Sequence, residues 1–178
     1  MLFGSSGIRR KFDQTLVDTA LRVGSALASG SSDILVGMDT RTTSPLLAHL
    51  VISGILGSGA TAHVAGIAPT PSVAYSTRTV KSGCMITASH NPEEYNGLKL
   101  FNTDGSSFTQ AQQAEMEELI KIRHWTDWQH QGSERAIDAL TPHKNAILDK
   151  VTIEAGITVV VDCGNGAGCD LKIGRAHV

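Results

Sequence analysis

The run Thr87-Ala88-Ser89-His90-Asn91-Pro92 places a hydroxyl, an imidazole and a carboxamide side by side, and such residues make a poor core. It follows Cys84-Met85-Ile86-Thr87, a short apolar run with the composition of a buried strand. Pro92 holds Asn91 out of helix geometry, so the segment reads as a stiff polar loop with an exposed hydroxyl at Ser89. Open α/β sheets bind ligands outside the carboxyl ends of their strands, which is where this loop falls. On the residues alone two readings stand, a functional loop and an ordinary capped turn. A serine-hydrolase pairing of Ser89 with His90 is disfavoured. Adjacent side chains seldom align for base activation, and the G-x-S-x-G elbow is absent. His90 by itself reads as a hydrogen-bonded loop histidine or as a proton-transfer group.

Two cations are candidates for binding a small anion. Arg9 is either a surface charge or a cleft residue. Lys99 lies in the alternating run Leu98-Lys99-Leu100-Phe101 and either faces solvent or faces a site. Asp39-Thr40-Arg41 follows a strand end, where an Asp39–Arg41 surface pair is the simpler view and a cleft lining the other. Gly164, Gly166 and Gly168 imitate a dinucleotide loop, but Cys169 holds the last glycine position and no GK[ST] follows. A tight strand-to-helix turn is expected there.

The elements that must hold these residues alternate. Asp13 can cap a helix with Leu16, Ala20, Val23 and Leu27 on one face, broken at Gly30-Ser31-Ser32. Asp33–Met38 reads as a buried strand. Ser44-Pro45 opens a second helix with Leu47, Leu50, Val51, Gly54 and Ile55 inward. Ala62–Ala65 reads as a strand, Thr70-Pro71 as a helix start, and Asp104-Gly105 as a turn. Thr109 and Gln112 form a capping box for a helix through Ile120. Strands separated by helices predict an α/β fold, a mostly parallel sheet with helices on both faces.

Residues 123–140 lose periodicity, which predicts a boundary between a first domain, 1–135, and a second segment, 136–178, and a protease-stable fragment ending in that stretch. Thr141-Pro142 starts a helix, and Thr158–Asp162 reads as a strand opening a second α/β unit. One strand and a glycine turn cannot bury themselves, so that unit is expected to be incomplete. The run Ile173–Val178 matches one reading frame of a common sequencing adapter and is set apart from the fold.

Composition narrows the partners. Apolar residues make up 41% and charged residues 18% of the 178, a globular balance. The net charge of −2 comes without a basic stripe, so nucleic acid is not an expected partner. Cys84, Cys163 and Cys169 form no CxxC pair, and reduced thiols of a cytoplasmic protein are expected. Arg9, Arg10 and Lys11 precede any apolar run, unlike a signal peptide. The apolar stretch 46–60 is interrupted by His49 and small polar residues and is too short to span a bilayer, so no membrane partner is expected.

Three motifs carry a family resemblance. Thr87–Pro92 with Glu93-Glu94-Tyr95-Asn96-Gly97-Leu98-Lys99 closely resembles the active-site signature of the α-D-phosphohexomutases. Phe3-Gly4-Ser5-Ser6-Gly7-Ile8-Arg9 resembles that family's opening motif, and Asp162-Cys163-Gly164-Asn165-Gly166-Ala167-Gly168 the start of its second domain. The resemblance implies four domains around one cleft and a phosphotransferase interconverting hexose 1-phosphate and hexose 6-phosphate. Ser89 would carry the phosphoryl group, His90 would orient or transfer protons, and Arg9 and Lys99 would contact the phosphoserine. It implies magnesium on a phosphoserine oxygen of Ser89 plus second-domain aspartates, and a hexose 1,6-bisphosphate activator. Glucose, mannose and glucosamine phosphates all remain open as substrates. A noncatalytic sugar-phosphate-binding module on the same fold is the alternative. A serine phosphomonoester hydrolyses extremely slowly in water, so it can store a phosphoryl group. Transfer then needs positioning and charge neutralisation, which Arg, Lys and a metal supply. One departure stands out: Arg10 occupies a position where the family usually has Gly, which predicts a strained backbone there.

Overall fold

The computed structural model describes residues 2–4, 7–122, 124–152, 156 and 158–171. Ser5 and Ser6 of the opening motif, Arg123 and the Ile173–Val178 tail lie outside the described residues. The elements run β1 (Ile8–Lys11), α1 (Gln14–Gly30), β2 (Asp33–Met38), α2 (Ser44–Gly57), β3 (Thr61–Ile67), α3 (Thr70–Ser76), β4 (Ser82–Ile86), β5 (Tyr95–Asn102), α4 (Gln110–Lys121), β6 (Glu134–Ala136) and α5 (Leu140–Leu148).

Local signals start the helices. Asp13 caps α1 by accepting the Leu16 N–H at 2.8 Å, and that bond, with Arg10 beside it, holds its carboxyl below the usual range. Thr109 and Gln112 form the reciprocal capping box of α4. Pro45 and Pro71 occupy the first turns of α2 and α3.

The six strands form one sheet in the order β1-β5-β4-β2-β3-β6. β4, β2, β3 and β6 are parallel, while β5 runs antiparallel to both β4 and β1. Helices cover both faces, as the alternation predicts. On one side α1, α2 and α4 pack Leu16, Leu47, Val51 and Met116 against Ile34, Val36, Cys84, Ile86 and Leu98. On the other, Val73 of α3 packs with Leu35, Met85 and Phe101, and Leu140 of α5 joins them. The buried Cys84 thiol is pushed up to about 12 by desolvation, so it stays neutral and acts as a small apolar side chain. Among the described residues no helix is long and apolar enough to cross a membrane.

Two local expectations are corrected, and one strand is added. Arg10 carries no left-handed backbone: it sits in β1 opposite Asn96, and its guanidinium pairs with Asp13 at 2.6 Å. An extended strand suits any side chain, so the replacement of glycine brings no strain. The aperiodic stretch before Leu140 contributes a strand, β6, whose register matches Ala62 with Glu134 and Val64 with Ala136. Its Trp125 ring covers Gly57, and the Thr126 N–H donates to the Gly57 carbonyl at 2.9 Å. β6 is an exposed edge strand with no buried face, which is why it shows no apolar alternation. The expected strand at Thr158–Asp162 does not form, and Val159, Val160 and Val161 are exposed. A strand needs a neighbour to bond its backbone, and no described strand pairs with this segment.

Helices α1 and α2 cross at close range. A Cβ on Gly24 would lie 2.0 Å from the Val51 carbonyl oxygen, and one on Gly54 would lie 2.1 Å from that of Leu21. Backbone meets backbone at both places, so neither neighbour can swing aside. Gly54→Ala is therefore expected to cost about 1–3 kcal/mol or more in urea unfolding. Gly30→Ala, with nothing within 4 Å of its added carbon, should leave stability unchanged or raise it by up to about 1 kcal/mol. Equal unfolding midpoints for the two variants would refute the close-crossing account.

Candidate active site

β4 ends at Ile86, and the chain turns through 87–94 before returning as β5. The Thr87 N–H donates to the Gly97 carbonyl at 3.0 Å, the Asn91 N–H to Ala88 at 3.2 Å and the Tyr95 N–H to Pro92 at 3.0 Å. At its tip Ser89 is exposed and takes the left-handed conformation, φ 58°. For a residue other than glycine that geometry costs on the order of 1–3 kcal/mol and persists only where the surroundings enforce it. The Thr87 hydroxyl helps by accepting the Ser89 N–H at 2.9 Å.

The principal enforcer is Arg41. Its Nη1 donates to the carbonyls of Pro92 (2.7 Å) and Tyr95 (3.0 Å), and its Nη2 to those of Ser89 (2.9 Å) and Asn91 (2.7 Å). Its Nε donates to Asp39 Oδ2 at 3.2 Å, with both side chains largely buried. The surface pair expected from the sequence is thus an internal brace. Asp39 Oδ1 accepts the Ser44 hydroxyl at 2.5 Å, and Ser44 Oγ in turn accepts from Asn96 Nδ2 at 3.0 Å. Asn96, fully buried at the start of β5, also donates to Thr43 Oγ1 at 2.8 Å and accepts the Gly97 N–H at 2.8 Å. A hydrogen-bonded chain therefore runs from the sheet through two helix-start residues to the loop.

Ser89 opens onto a cleft of about 540 Å³ whose lining includes Asp39, Arg41, Thr87, Asn91 and Glu93, with Gly166 and Ala167 of the glycine turn opposite. That turn holds Gly164 at φ 51° and Asn165 at φ 56°, and the Gly164 N–H donates to Asp162 Oδ1 at 2.8 Å. The short 3-10 turn Cys169–Leu171 follows it, in place of the helix expected there.

The four sequence candidates are brought together unequally. His90 is exposed beside Ser89, its Nδ1 3.4 Å from Ser89 Oγ, too long for firm base activation. Arg9 and Lys99 lie on the Met85 face of the sheet: Arg9 stands opposite Gly97, and Lys99 opposite Met85. Gly97 has no side chain between them, and a Cβ there would lie 2.1 Å from the Ile8 carbonyl oxygen. Both cations are half-buried, but neither lines the cleft onto which Ser89 opens. Lys99 Nζ instead lies 5.5 Å from the Phe101 ring centroid, within cation–π reach.

Among the described residues no group of three or more His, Cys, Asp or Glu side chains could hold a metal ion. Of the two acids that line the cleft, Asp39 is occupied by Arg41 and Ser44, which leaves Glu93. These residues therefore do not fit a complete magnesium site.

A family model described as phosphoglucomutase/phosphomannomutase, alpha/beta/alpha domain I, matches residues 1–126. The chain belongs to this family. It is 42% identical over 174 residues to a phosphoglucosamine mutase of Methanococcus aeolicus, covering 94% of this chain and 38% of that protein. A probable phosphoglucosamine mutase of Methanocella arvoryzae is 44% identical over 170 residues, covering 93% and 38%. The chain thus spans about two fifths of the length of these relatives. Among solved structures, a putative phosphomannomutase from Thermus thermophilus superposes with a TM-score of 0.71 at 26% identity, over 84% of this chain and 36% of that one. A phosphoglucomutase/phosphomannomutase family protein from Burkholderia thailandensis gives a TM-score of 0.76 at 24% identity, over 96% and 40%, a likeness of fold. The phosphohexomutase resemblance of the three motifs is borne out.

Asn96 ties the brace to the sheet. Asn96→Ala should lower stability by about 1–3 kcal/mol in urea unfolding, because it strips partners from buried hydroxyls and the Gly97 amide. An unfolding midpoint equal to wild type would show that the chain of bonds carries no strain from loop to sheet.

Proposed function

We propose that this chain is the phosphoserine-bearing domain of a phosphohexomutase that interconverts hexose 1-phosphate and hexose 6-phosphate. The observation that carries the reading is Ser89, exposed and held in the left-handed conformation at the carboxyl edge of β4, at the mouth of a polar cleft. Strain enforced at one hydroxyl is typical of a functional position.

The chemistry follows from that hydroxyl. A hexose 1,6-bisphosphate primes the enzyme: one sugar O–P bond breaks, the phosphoryl group passes to Ser89 Oγ, the serine proton leaves to a base, and the departing sugar oxygen takes up a proton and leaves as the hydroxyl of a hexose monophosphate. In turnover the Ser89 Oγ–P bond breaks and a bond forms to the free hydroxyl of the hexose monophosphate, whose proton is released as Ser89 regains one. The bisphosphate then reorients and returns its other phosphate to Ser89. His90 Nδ1, 3.4 Å from the oxygen, is the proposed proton-handling or orienting group. Arg9 and Lys99 are the proposed charge-neutralising pair, which reach the phosphoserine only when their long side chains swing from the Met85 face toward the loop. The magnesium implied by the resemblance would meet Ser89 phosphate here and needs carboxylates that these residues do not supply, so none of these steps uses it. The names of the relatives make glucosamine phosphate the first substrate to test, ahead of glucose and mannose phosphates.

In the full-length protein, treatment with a hexose 1,6-bisphosphate should add one phosphoryl group to the peptide containing Ser89. Ser89→Ala should abolish both the label and turnover, and Arg9→Ala and Lys99→Ala should slow transfer far more than they lower the unfolding midpoint. An unlabelled wild-type Ser89 that still binds glucosamine phosphate would favour the noncatalytic sugar-phosphate module. Full turnover by Ser89→Ala would exclude the serine as carrier.

A further inference from the structure

We infer that Arg41 is the positioning residue of the phosphoryl-carrying loop and that it acts without contacting phosphate; its catalytic consequence rests on the mutase reading above. A guanidinium has five N–H donors and no acceptor. In this fold all five are spent: one on Asp39, and four on the carbonyls of Ser89, Asn91, Pro92 and Tyr95. A cation that lines the cleft beside Ser89 therefore has no donor left for an anion bound there.

What Arg41 does instead is set the backbone. Its four acceptors span the whole turn, 48 to 54 residues away in sequence, and one of them is the carbonyl of Ser89 itself. With the Ser89 N–H held by Thr87, both peptide groups flanking the left-handed residue are fixed. The second effect is electrostatic. Carbonyl oxygens carry partial negative charge and would repel a phosphoryl group. Held on one cation, these four have their charge offset at the point where phosphate must arrive. The fork geometry matters as much as the charge. A lysine ammonium has three donors on one nitrogen and cannot reach four carbonyls and a carboxylate at once.

The test uses the full-length protein as wild type, Arg41→Lys and Arg41→Ala, read in two ways. Amide hydrogen exchange without ligand should speed up about tenfold or more across residues 88–95 in both variants, with β4 and α2 unchanged. Steady-state kinetics with glucosamine 1-phosphate and its bisphosphate should show kcat lowered by about 10- to 100-fold with KM within about threefold, since small misplacement of a reacting group has that scale of effect. Arg41→Lys should resemble Arg41→Ala. A raised KM with kcat retained would mean that Arg41 binds substrate directly, and would overturn the inference. Recovery of wild-type kcat by Arg41→Lys would reduce the role to bare charge and overturn it too. Faster exchange spread evenly over the domain would make Arg41 a stability residue only. If wild-type Ser89 takes no phosphate, the mutase reading fails, and the local exchange result alone then decides whether Arg41 positions the loop.

Discussion

A loop that leaves one strand and returns as its neighbour must satisfy its own backbone carbonyls without a ladder to receive them. Between β4 and β5 three of those carbonyls, with that of Tyr95 at the start of β5, converge on one guanidinium. The arrangement is demanding because Arg41 must enter from a different connection, the one between β2 and α2, and must itself be held. Asp39 holds it, Ser44 holds Asp39, and Asn96 holds Ser44. Each member is a polar group with little access to water, so a gap anywhere leaves an unpaired charge or hydroxyl inside. The left-handed Ser89 is the product of that over-determination.

The rest of the fold brings those connections together. β2 and β4 are parallel neighbours, so their carboxyl ends, Asp39 and Thr87, emerge side by side. β5 runs back antiparallel beside β4, which returns Asn96 and Gly97 to the same edge, and β1 adds Arg9 next to them. The close crossing of α1 and α2 through Gly24 and Gly54 holds the second half of α2, the helix whose first turn supplies Ser44. Packing on one face of the sheet thereby supports chemistry at its edge.

Sheet topology also separates the charges. Arg9 and Lys99 share a face with Met85, away from the α1–α2 layer, and stop short of the cleft at Ser89. Arg41, nearest the loop, is fully occupied. The geometry of the loop therefore rests on a largely buried cation whose donors are taken, while Arg9 and Lys99 stand on the neighbouring sheet face.

The sequence by itself determined the α/β alternation, the Asp13 and Thr109 caps, the polar Ser89 loop after an apolar strand, and membership of the family. All of these are signals written in residue type over a few neighbouring positions. Only the tertiary structure decided what Arg41 does, because a side chain bonded to backbone carbonyls leaves no mark on the residues that supply them. Nothing in the types of residues 44 and 96, a helix start and a signature position, shows that they bond one another and brace Asp39 until the fold sets them in a row. β6 escaped notice because an exposed edge strand has no buried face to pattern it. Thr158–Asp162 had the composition of a strand, yet a strand forms only where another lies beside it, and composition cannot supply a neighbour.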